Sequence, residues 1–167
     1  MDDISIAGYV PGAIGRVAEL HALYYGREWG FGLVFEAKVA AGLAEFLQRF
    51  DPEQDGFWTV SRGGRVMGAI AIDGGKGGAK AQAEGAHLRW FILADELRGL
   101  GLGERLLREA VEFCRRCGHP RVFLWTFQGL DSARHLYEKH GFRLAEEREG
   151  EQWGTRVLEQ RFVLALA

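Results

Sequence analysis

The sequence has 167 residues, of which 47% are hydrophobic and 26% charged, and its formal net charge is −2 at pH 7. This length and balance predict one globular domain spanning residues 1–167 and exclude a disordered tail. The charge gives no basic surface for nucleic acid or an anionic membrane. Because the sequence also has neither a ~20-residue apolar run nor a signal-peptide pattern, a cytoplasmic protein is expected.

The first third of the chain predicts a strand followed by two helices. Residues 5–10 alternate in polarity as a strand does. Apolar residues then recur at helical spacing over residues 13–27, and the glycines that follow predict a break that leaves Glu28 in a turn. A second helix is expected over residues 34–50.

The middle of the chain predicts three strands and one irregular segment. Residues 57–73 have the pattern of a β-hairpin with a Gly-Gly turn. Residues 74–86 are rich in glycine and alanine without an apolar period, which predicts a mobile hairpin loop. Residues 87–93 predict a third strand, which leads directly into a glycine-rich turn and a helix ending near residue 117.

Two cysteines, Cys114 and Cys117, are spaced as in redox and zinc sites. A redox pair of this spacing lies at the start of a helix, where the thiol pKa is lowered. This pair comes at the end of a predicted helix, and no second pair completes a zinc site. We therefore expect Cys114 to be a small core residue and no metal to be bound.

The last quarter predicts a strand, a helix and two more strands. Residues 121–127 form a nearly continuous apolar run, typical of a strand covered on both faces. Asp131 is expected to cap the next helix, which ends at Gly141. Strands over residues 142–148 and 155–166 complete the order β-α-α-β-β-β-α-β-α-β-β, a mixed α/β domain.

The turn before the third helix places Arg98 next to glycines at positions 99, 101 and 103. The first N–H groups of a helix have no internal partner, and the helix N-terminus attracts negative charge. Glycines let an anion approach those N–H groups, and Arg98 adds a positive charge. The pattern favours a phosphate site over the alternative, a tight turn whose glycines only fit the helix to the strand.

Two common phosphate sites do not match this turn. A P-loop needs Lys-Ser/Thr after its last glycine, and none follows here. A dinucleotide site needs a small residue where Glu104 stands and an acid at the end of the next strand, where Phe127 stands. Both are therefore excluded.

The sequence resembles the GNAT acyltransferase superfamily in two motifs. Residues 98–103, RGLGLG, are similar to the Arg/Gln-x-x-Gly-x-Gly/Ala signature, and residues 133–142, ARHLYEKHGF, to a later family segment. Residues 21–37, 123–127 and 154–162 look more narrowly like the acetyltransferase half of proteins that fuse a MarR-type helix-turn-helix to a GNAT domain. The helix-turn-helix half is not in this sequence.

The resemblance implies an acyl-CoA N-acyltransferase fold, with acetyl-CoA as donor and a small-molecule or peptide amine as acceptor. Acetyl-CoA would be bound by the turn and by the main chain of the preceding strand, with a backbone N–H near Leu93 facing the thioester oxygen. The residues assigned to it are Phe91, Ile92, Leu93, Arg98, Gly99, Leu100, Gly101, Leu102, Gly103 and Glu104. An Asn frequent in the family is replaced in the region of Phe127 and Gln128, so one contact differs.

Tyr137 matches the family's usual general acid, which protonates the leaving thiolate. The alternative is that its ring only packs on a helix face. The acceptor ammonium must also lose a proton, and the candidate bases are Glu28, His21 and His87. Glu28 is the base assigned here; its alternative is a solvated carboxylate paired with Arg27.

Several aromatic residues are candidates for an acceptor pocket, with ordinary core packing as the alternative: Tyr24, Tyr25, Trp29, Phe31 and Trp153. The function expected is direct acetyl transfer in a ternary complex without a covalent enzyme intermediate. The alternatives are a non-catalytic acyl-CoA-binding regulatory module and a structural dimerisation domain. The acceptor, a homodimer and a separate helix-turn-helix partner are left open.

Overall fold

The computed structural model describes residues 3–75 and 83–166, and its elements follow the predicted order. The strands are β1 (Ile4–Ala7), β2 (Gly56–Arg62), β3 (Arg65–Asp73), β4 (Ala86–Leu93), β5 (Arg121–Phe127), β6 (Arg143–Gly150) and β7 (Val157–Ala165). The longer helices in this part of the chain are α1 (Ala13–Trp29), α2 (Leu33–Gln48), α3 (Leu102–Arg116) and α4 (Asp131–Lys139). The prediction of a mixed α/β fold is confirmed.

All seven strands form one sheet in the order β1-β2-β3-β4-β5-β7-β6. Only β4 and β5 pair in parallel, and their register covers just two pairs, Ala86 with Val122 and His87 with Phe123. Beyond His87 the two strands separate. The edge of β4 that faces β5 is therefore open over most of its length, and this opening forms a cleft in the middle of the sheet.

The helices cover both faces of the sheet. On one face α3 contributes Leu106, Leu107 and Ala110, all 0% exposed, to a core shared with the β3 residues Ile70 and Ile72. On the other face α1 and α2 contribute Val17, Leu43 and Phe46 to a second core, packed on Ala69 and Ile92 of the sheet. Each fully buried leucine or phenylalanine stabilises the fold by about 1.5–3 kcal/mol relative to an exposed one. The result is a three-layer sandwich with the cleft at its centre.

The prediction that Cys114 is a core residue is confirmed. Cys114 is fully buried in the α3 core, and both it and Cys117 are free thiols. Burial raises the pKa of the Cys114 thiol to about 12, so that the reactive thiolate is disfavoured. Among residues 3–75 and 83–166 no group of His, Cys, Asp and Glu is placed to hold a metal ion.

Two local predictions are wrong. Glu28 does not lie in a turn: α1 continues to Trp29, and the left-handed backbone of Gly30 (φ 71°) ends it, so Glu28 belongs to the last helical turn. Asp131 does not cap α4: it is the first helical residue, Leu130 is the N-cap, and no side chain caps this helix. An acidic residue in the first turn still interacts favourably with the helix dipole.

The predictions for the hairpin turn and for the end of α4 agree with the structure. Gly63 and Gly64 both have positive φ, as a two-residue hairpin turn of this type requires, and Gly141 follows α4 with φ 94°. Most of the loop predicted to be mobile, residues 76–82, lies outside the described residues. Within the described ranges, no helix is long and apolar enough to cross a membrane.

Candidate active site

A cavity of about 710 Å³ occupies the cleft between β4 and β5. Its walls come from α1 and α2, from the N-terminal ends of α3 and α4, and from the segment that joins β6 to β7. The cavity thus extends from one helical layer to the other through the opening in the sheet. It is large enough for a sizeable ligand with a second molecule beside it.

An irregularity in β4 shapes the cavity wall. The register with β3 shifts between Ala69 and Ala71, and Trp90 on β4 has a φ of 50°, which is rare for a residue other than glycine. Such a bulge bends a strand and turns its side chains. It lies just before Phe91, Ile92 and Leu93, which line the cavity as the segment predicted to bind the donor's arm. Nothing in the local sequence indicates this bulge.

The glycine turn predicted to bind phosphate opens into the cavity at the N-terminus of α3. Gly101 is the N-cap, with a left-handed backbone (φ 76°), and the first main-chain bond of the helix runs from Arg105 N to Gly101 O at 3.1 Å. The N–H groups before Arg105 therefore precede the helical ladder. A Cβ built at Gly99 or Gly101 meets no heavy atom of the described residues within 4 Å. The turn thus forms an open cradle of main-chain N–H groups, an arrangement that suits an anion.

Charged side chains flank this cradle. Arg98 lines the cavity, with its Nε 3.2 Å from Asp95 Oδ1 and its guanidinium 5.1 Å from the centre of the Tyr24 ring. Glu104 also lines the cavity and pairs with Lys139 Nζ at 3.2 Å. The hydrogen bond from Lys139 lowers the pKa of the Glu104 carboxyl.

Tyr137 lies on α4 at the cavity wall and is only 7% exposed. Its ring centre is 6.3 Å from that of Phe91 and 5.8 Å from that of Phe142, so it is also part of the core. Burial raises the pKa of the Tyr137 phenol well above its ordinary value. The phenol therefore holds its proton at neutral pH, as a proton donor must.

The three candidate bases have different surroundings. His21 lines the cavity and donates Nδ1–H to the carbonyl of Val17 at 2.8 Å. The lone pair of the neutral ring is therefore on Nε2. His87 lines it too, stacked on Phe123 with ring centres 4.5 Å apart. Glu28 is outside the cavity lining, in an exposed ion pair with Arg27 at 3.0 Å.

Burial weakens both histidines as bases. It lowers the pKa of His21 to about 4 and the pKa of His87 to about 3, the latter with a contribution from Arg89. Both rings are therefore neutral at pH 7. A base whose conjugate acid has a pKa near 4 binds a proton about six pKa units more weakly than a typical alkyl amine does.

Aromatic rings form part of the cavity wall. Of the predicted pocket residues, Tyr24, Tyr25 and Trp153 line the cavity, whereas Trp29 and Phe31 pack behind it against Phe127. Phe127, which stands at the departure from the family pattern, is itself in the lining. Its ring centre is 5.5 Å from that of Trp153.

Sequence analysis did not predict several polar residues of the cavity, among them Lys38 and Asp131. Lys38 lies on α2, where its position in the helical pattern predicts only a solvated side chain. Asp131 was assigned a capping role instead. No local signal distinguishes either residue from a surface charge, because only the packing of the helices brings them to the cavity.

Comparison with known proteins agrees with this geometry. A model of the acetyltransferase (GNAT) family matches residues 14–142. An uncharacterised N-acetyltransferase of Methanocaldococcus jannaschii is 26% identical over 138 residues; the match covers 83% of this chain, which spans only 60% of that relative. A second, from Schizosaccharomyces pombe, is 29% identical over 126 residues, covering 73% of this chain and 72% of the relative.

The fold has a close structural counterpart as well. The structure of yncA from Salmonella typhimurium, solved with its cofactor acetyl-CoA, superposes with a TM-score of 0.73. The two chains are 14% identical, and the superposition covers 98% of this chain and 94% of the other. The family match spans the open glycine turn, the bulged strand and Tyr137. This chain therefore belongs to the acetyltransferase (GNAT) family.

Proposed function

We propose that this chain transfers the acetyl group of acetyl-CoA to a primary amine by direct attack in a ternary complex. The observation that carries the proposal is the single cavity into which the open glycine turn, the separated edge of β4 and the protonated phenol of Tyr137 all face. A phosphate site, a strand edge for amide groups and a proton donor are the parts this reaction needs.

The donor's position follows from these parts. Its pyrophosphate would accept hydrogen bonds from main-chain N–H groups of residues 98–104, beside the charge of Arg98. Its amide-containing arm would pair with the main chain of residues 91–93 along the open edge of β4. A backbone N–H near Leu93 would face the thioester oxygen as negative charge develops there. This leaves the aromatic side of the cavity for the acceptor.

The reaction balances with few participants. The acceptor nitrogen forms a bond to the thioester carbon, the carbon–sulfur bond breaks, and the thiolate leaves with a proton from Tyr137. The amine loses one proton, which passes to solvent or to a protein base, and Tyr137 regains its proton from solvent. We propose a surface role for Glu28 instead of the base assigned from the sequence, because it lies in an exposed ion pair with Arg27 outside the cavity lining. Because His21 and His87 are weak bases, we infer that the amine enters largely deprotonated.

A measurement of free CoA thiol tests this proposal. The protein is incubated with acetyl-CoA and, one at a time, an amino acid, a polyamine, an aminoglycoside and a lysine peptide. Amine-dependent release of thiol, with an acetylated acceptor in the mass spectrum, supports the enzyme. Binding of acetyl-CoA without release by any amine would favour the alternative, a non-catalytic acyl-CoA-binding regulatory module.

Three finer assignments remain proposals. The motifs at residues 123–127 and 154–162 support kinship with the acetyltransferase half of MarR-type fusions and hence a bacterial-type protein. The composition supports a cytoplasmic location. A homodimer is proposed from the family resemblance alone, and light scattering of the purified chain tests it.

A further inference from the structure

The acceptor end of the cavity, defined here by Tyr25, Phe35, Lys38, Phe127 and Trp153, combines aromatic rings with a cation. The ring centres of Tyr25 and Phe35 are 5.1 Å apart, and those of Tyr25 and Phe127 are 6.0 Å apart. Rings at these distances form a continuous apolar wall. Such a wall favours an acceptor with an apolar, flat body.

Charge is distributed unevenly along the cavity. In the described part of the chain, the carboxylates in the lining are Glu104 and Asp131, which belong to the first turns of α3 and α4. The charged residues in the lining near α2 are the cations Lys38 and Arg89. A polyamine or another polycation would meet positive charge at this end and no carboxylate from the described residues.

The two cations are not equivalent. Arg89 donates to Asp73 Oδ2 at 3.0 Å and stacks on Trp90, with its guanidinium 4.0 Å from a ring centre. Because Asp73 also pairs with Arg49 at 2.7 Å, it compensates the charge of Arg89 in part. Lys38 donates to the main-chain oxygen of Gln152, and a carbonyl dipole does not neutralise an ammonium. An ammonium can donate three hydrogen bonds, so Lys38 retains donors for a ligand.

Glu159 is the acid that acts electrostatically on Lys38, but its carboxylate is hydrogen-bonded to other groups. Glu159 is 1% exposed, and its carboxylate accepts hydrogen bonds from Arg148 Nε at 3.1 Å and from the backbone N–H of Gln152 at 3.0 Å. These partners hold Glu159 beneath the β6–β7 connection and compensate its charge. Lys38 is thus positioned to attract an anionic group of the acceptor.

We propose that the acceptor is an α-amino acid with an apolar side chain, best an aromatic one, and that Lys38 binds its carboxylate. The aromatic wall would bind the side chain, and the amine would point toward the thioester. This inference rests on the proposed acetyl transfer and adds the substrate class. A charge-assisted hydrogen bond of ~1.5–3 kcal/mol corresponds to a factor of about 10–100 in kcat/KM.

The test compares phenylalanine with phenethylamine, which keeps the ring and the amine but lacks the carboxylate, and with spermidine. In the unaltered protein, phenylalanine should have at least a tenfold higher kcat/KM than phenethylamine. Lys38→Gln should reduce kcat/KM for phenylalanine at least tenfold, mainly through KM, and leave phenethylamine within twofold. Arg65→Gln, an exposed change at the start of β3, is the matched charge control and should alter neither.

The contrary outcomes separate the two proposals. Turnover of spermidine or phenethylamine in preference to phenylalanine would overturn the amino-acid assignment and leave acetyl transfer standing. If Lys38→Gln lowered kcat/KM equally for phenylalanine and phenethylamine, the proposed contact between Lys38 and the carboxylate would be wrong. No turnover of any amine, with acetyl-CoA still bound, would overturn both proposals.

Discussion

Glu28 lies on the exposed end of α1, with its carboxylate 3.0 Å from Nε of Arg27 and outside the lining of the cavity. Arg27 in turn pairs with Asp95 at 2.9 Å, which links α1 to a short 3-10 helix, Asp95–Leu97, before the glycine turn. Both side chains of the Glu28–Arg27 pair are about half exposed, so the pair contributes little to the free energy of unfolding.

Replacement of Glu28 by glutamine should therefore change kcat/KM by less than about threefold. Glutamine keeps the length of the side chain and removes its charge, and no lining contact is lost. Steady-state kinetics with any acceptor that supports thiol release will measure this. A loss of a factor of ~10² or more would be the signature of a general base and would assign that role to Glu28.

Tyr137→Phe should lower kcat by a factor of ~10²–10⁴ while the Kd for acetyl-CoA changes by less than about twofold. The substitution keeps the ring that packs on Phe91 and Phe142 but removes the proton. Calorimetry and turnover are measured on the same preparation. Tyr9→Phe, a change at a tyrosine that is 58% exposed, is the control.

Two outcomes would contradict the role of Tyr137 as acid. Unchanged turnover would show that Tyr137 only packs in the core. A joint loss of turnover and acetyl-CoA affinity would instead make its hydroxyl a binding contact.

The buried histidines predict that the protein loses stability in acid. His21 has a folded-state pKa of about 4, below its ordinary value of 6.5, so the unfolded chain binds the proton more readily. Its stabilising effect is complete above pH 6.5 and is lost as the pH falls toward 4. Between pH 7 and pH 5 this one group should cost about 2 kcal/mol of unfolding free energy.

Urea unfolding at the two pH values measures this difference. His21→Gln should reduce the difference by about that amount, whatever its own stability at pH 7. His135→Gln, at an exposed position on α4, is the control for the replacement of a histidine by glutamine. The same difference in His21→Gln as in the unaltered protein would show that His21 does not carry the effect.

Local sequence signals predicted the order of elements and the glycine turn because both depend on short-range chemistry. The apolar spacing of α3 and the glycines at positions 99 and 101 determine the structure of residues close to them in the sequence. Glu28 was placed wrongly because glycine, and not Glu28 or Trp29, ends α1. A helix continues until a residue interrupts it.

The remaining parts of the site depend on packing between distant segments. The bulge at Trp90 arises where β3 and β4 lose register, without a glycine to indicate it. Lys38 and Gln152 are separated by 114 residues and meet only when α2 packs near the β6–β7 connection. Periodicity within one segment carries no information about such contacts.

The proposed position of acetyl-CoA depends on phosphate binding at the glycine turn. The chain offers a matched control for a substitution in this turn. Gly12 and Gly101 are the N-caps of α1 and α3, with φ of 89° and 76°. A Cβ at either position meets no described heavy atom within 4 Å. Only Gly101 lines the cavity. Valine should therefore impose similar backbone strain at both, of roughly 1–3 kcal/mol, but obstruct the cradle at one.

The most direct measurement is the Kd of acetyl-CoA for Gly101→Val and Gly12→Val by calorimetry, on preparations whose circular dichroism shows them folded. Gly12→Val should bind like the unaltered protein, and Gly101→Val should bind at least tenfold more weakly. Equal affinity in all three proteins would contradict phosphate binding at this turn, and with it the proposed position of the donor.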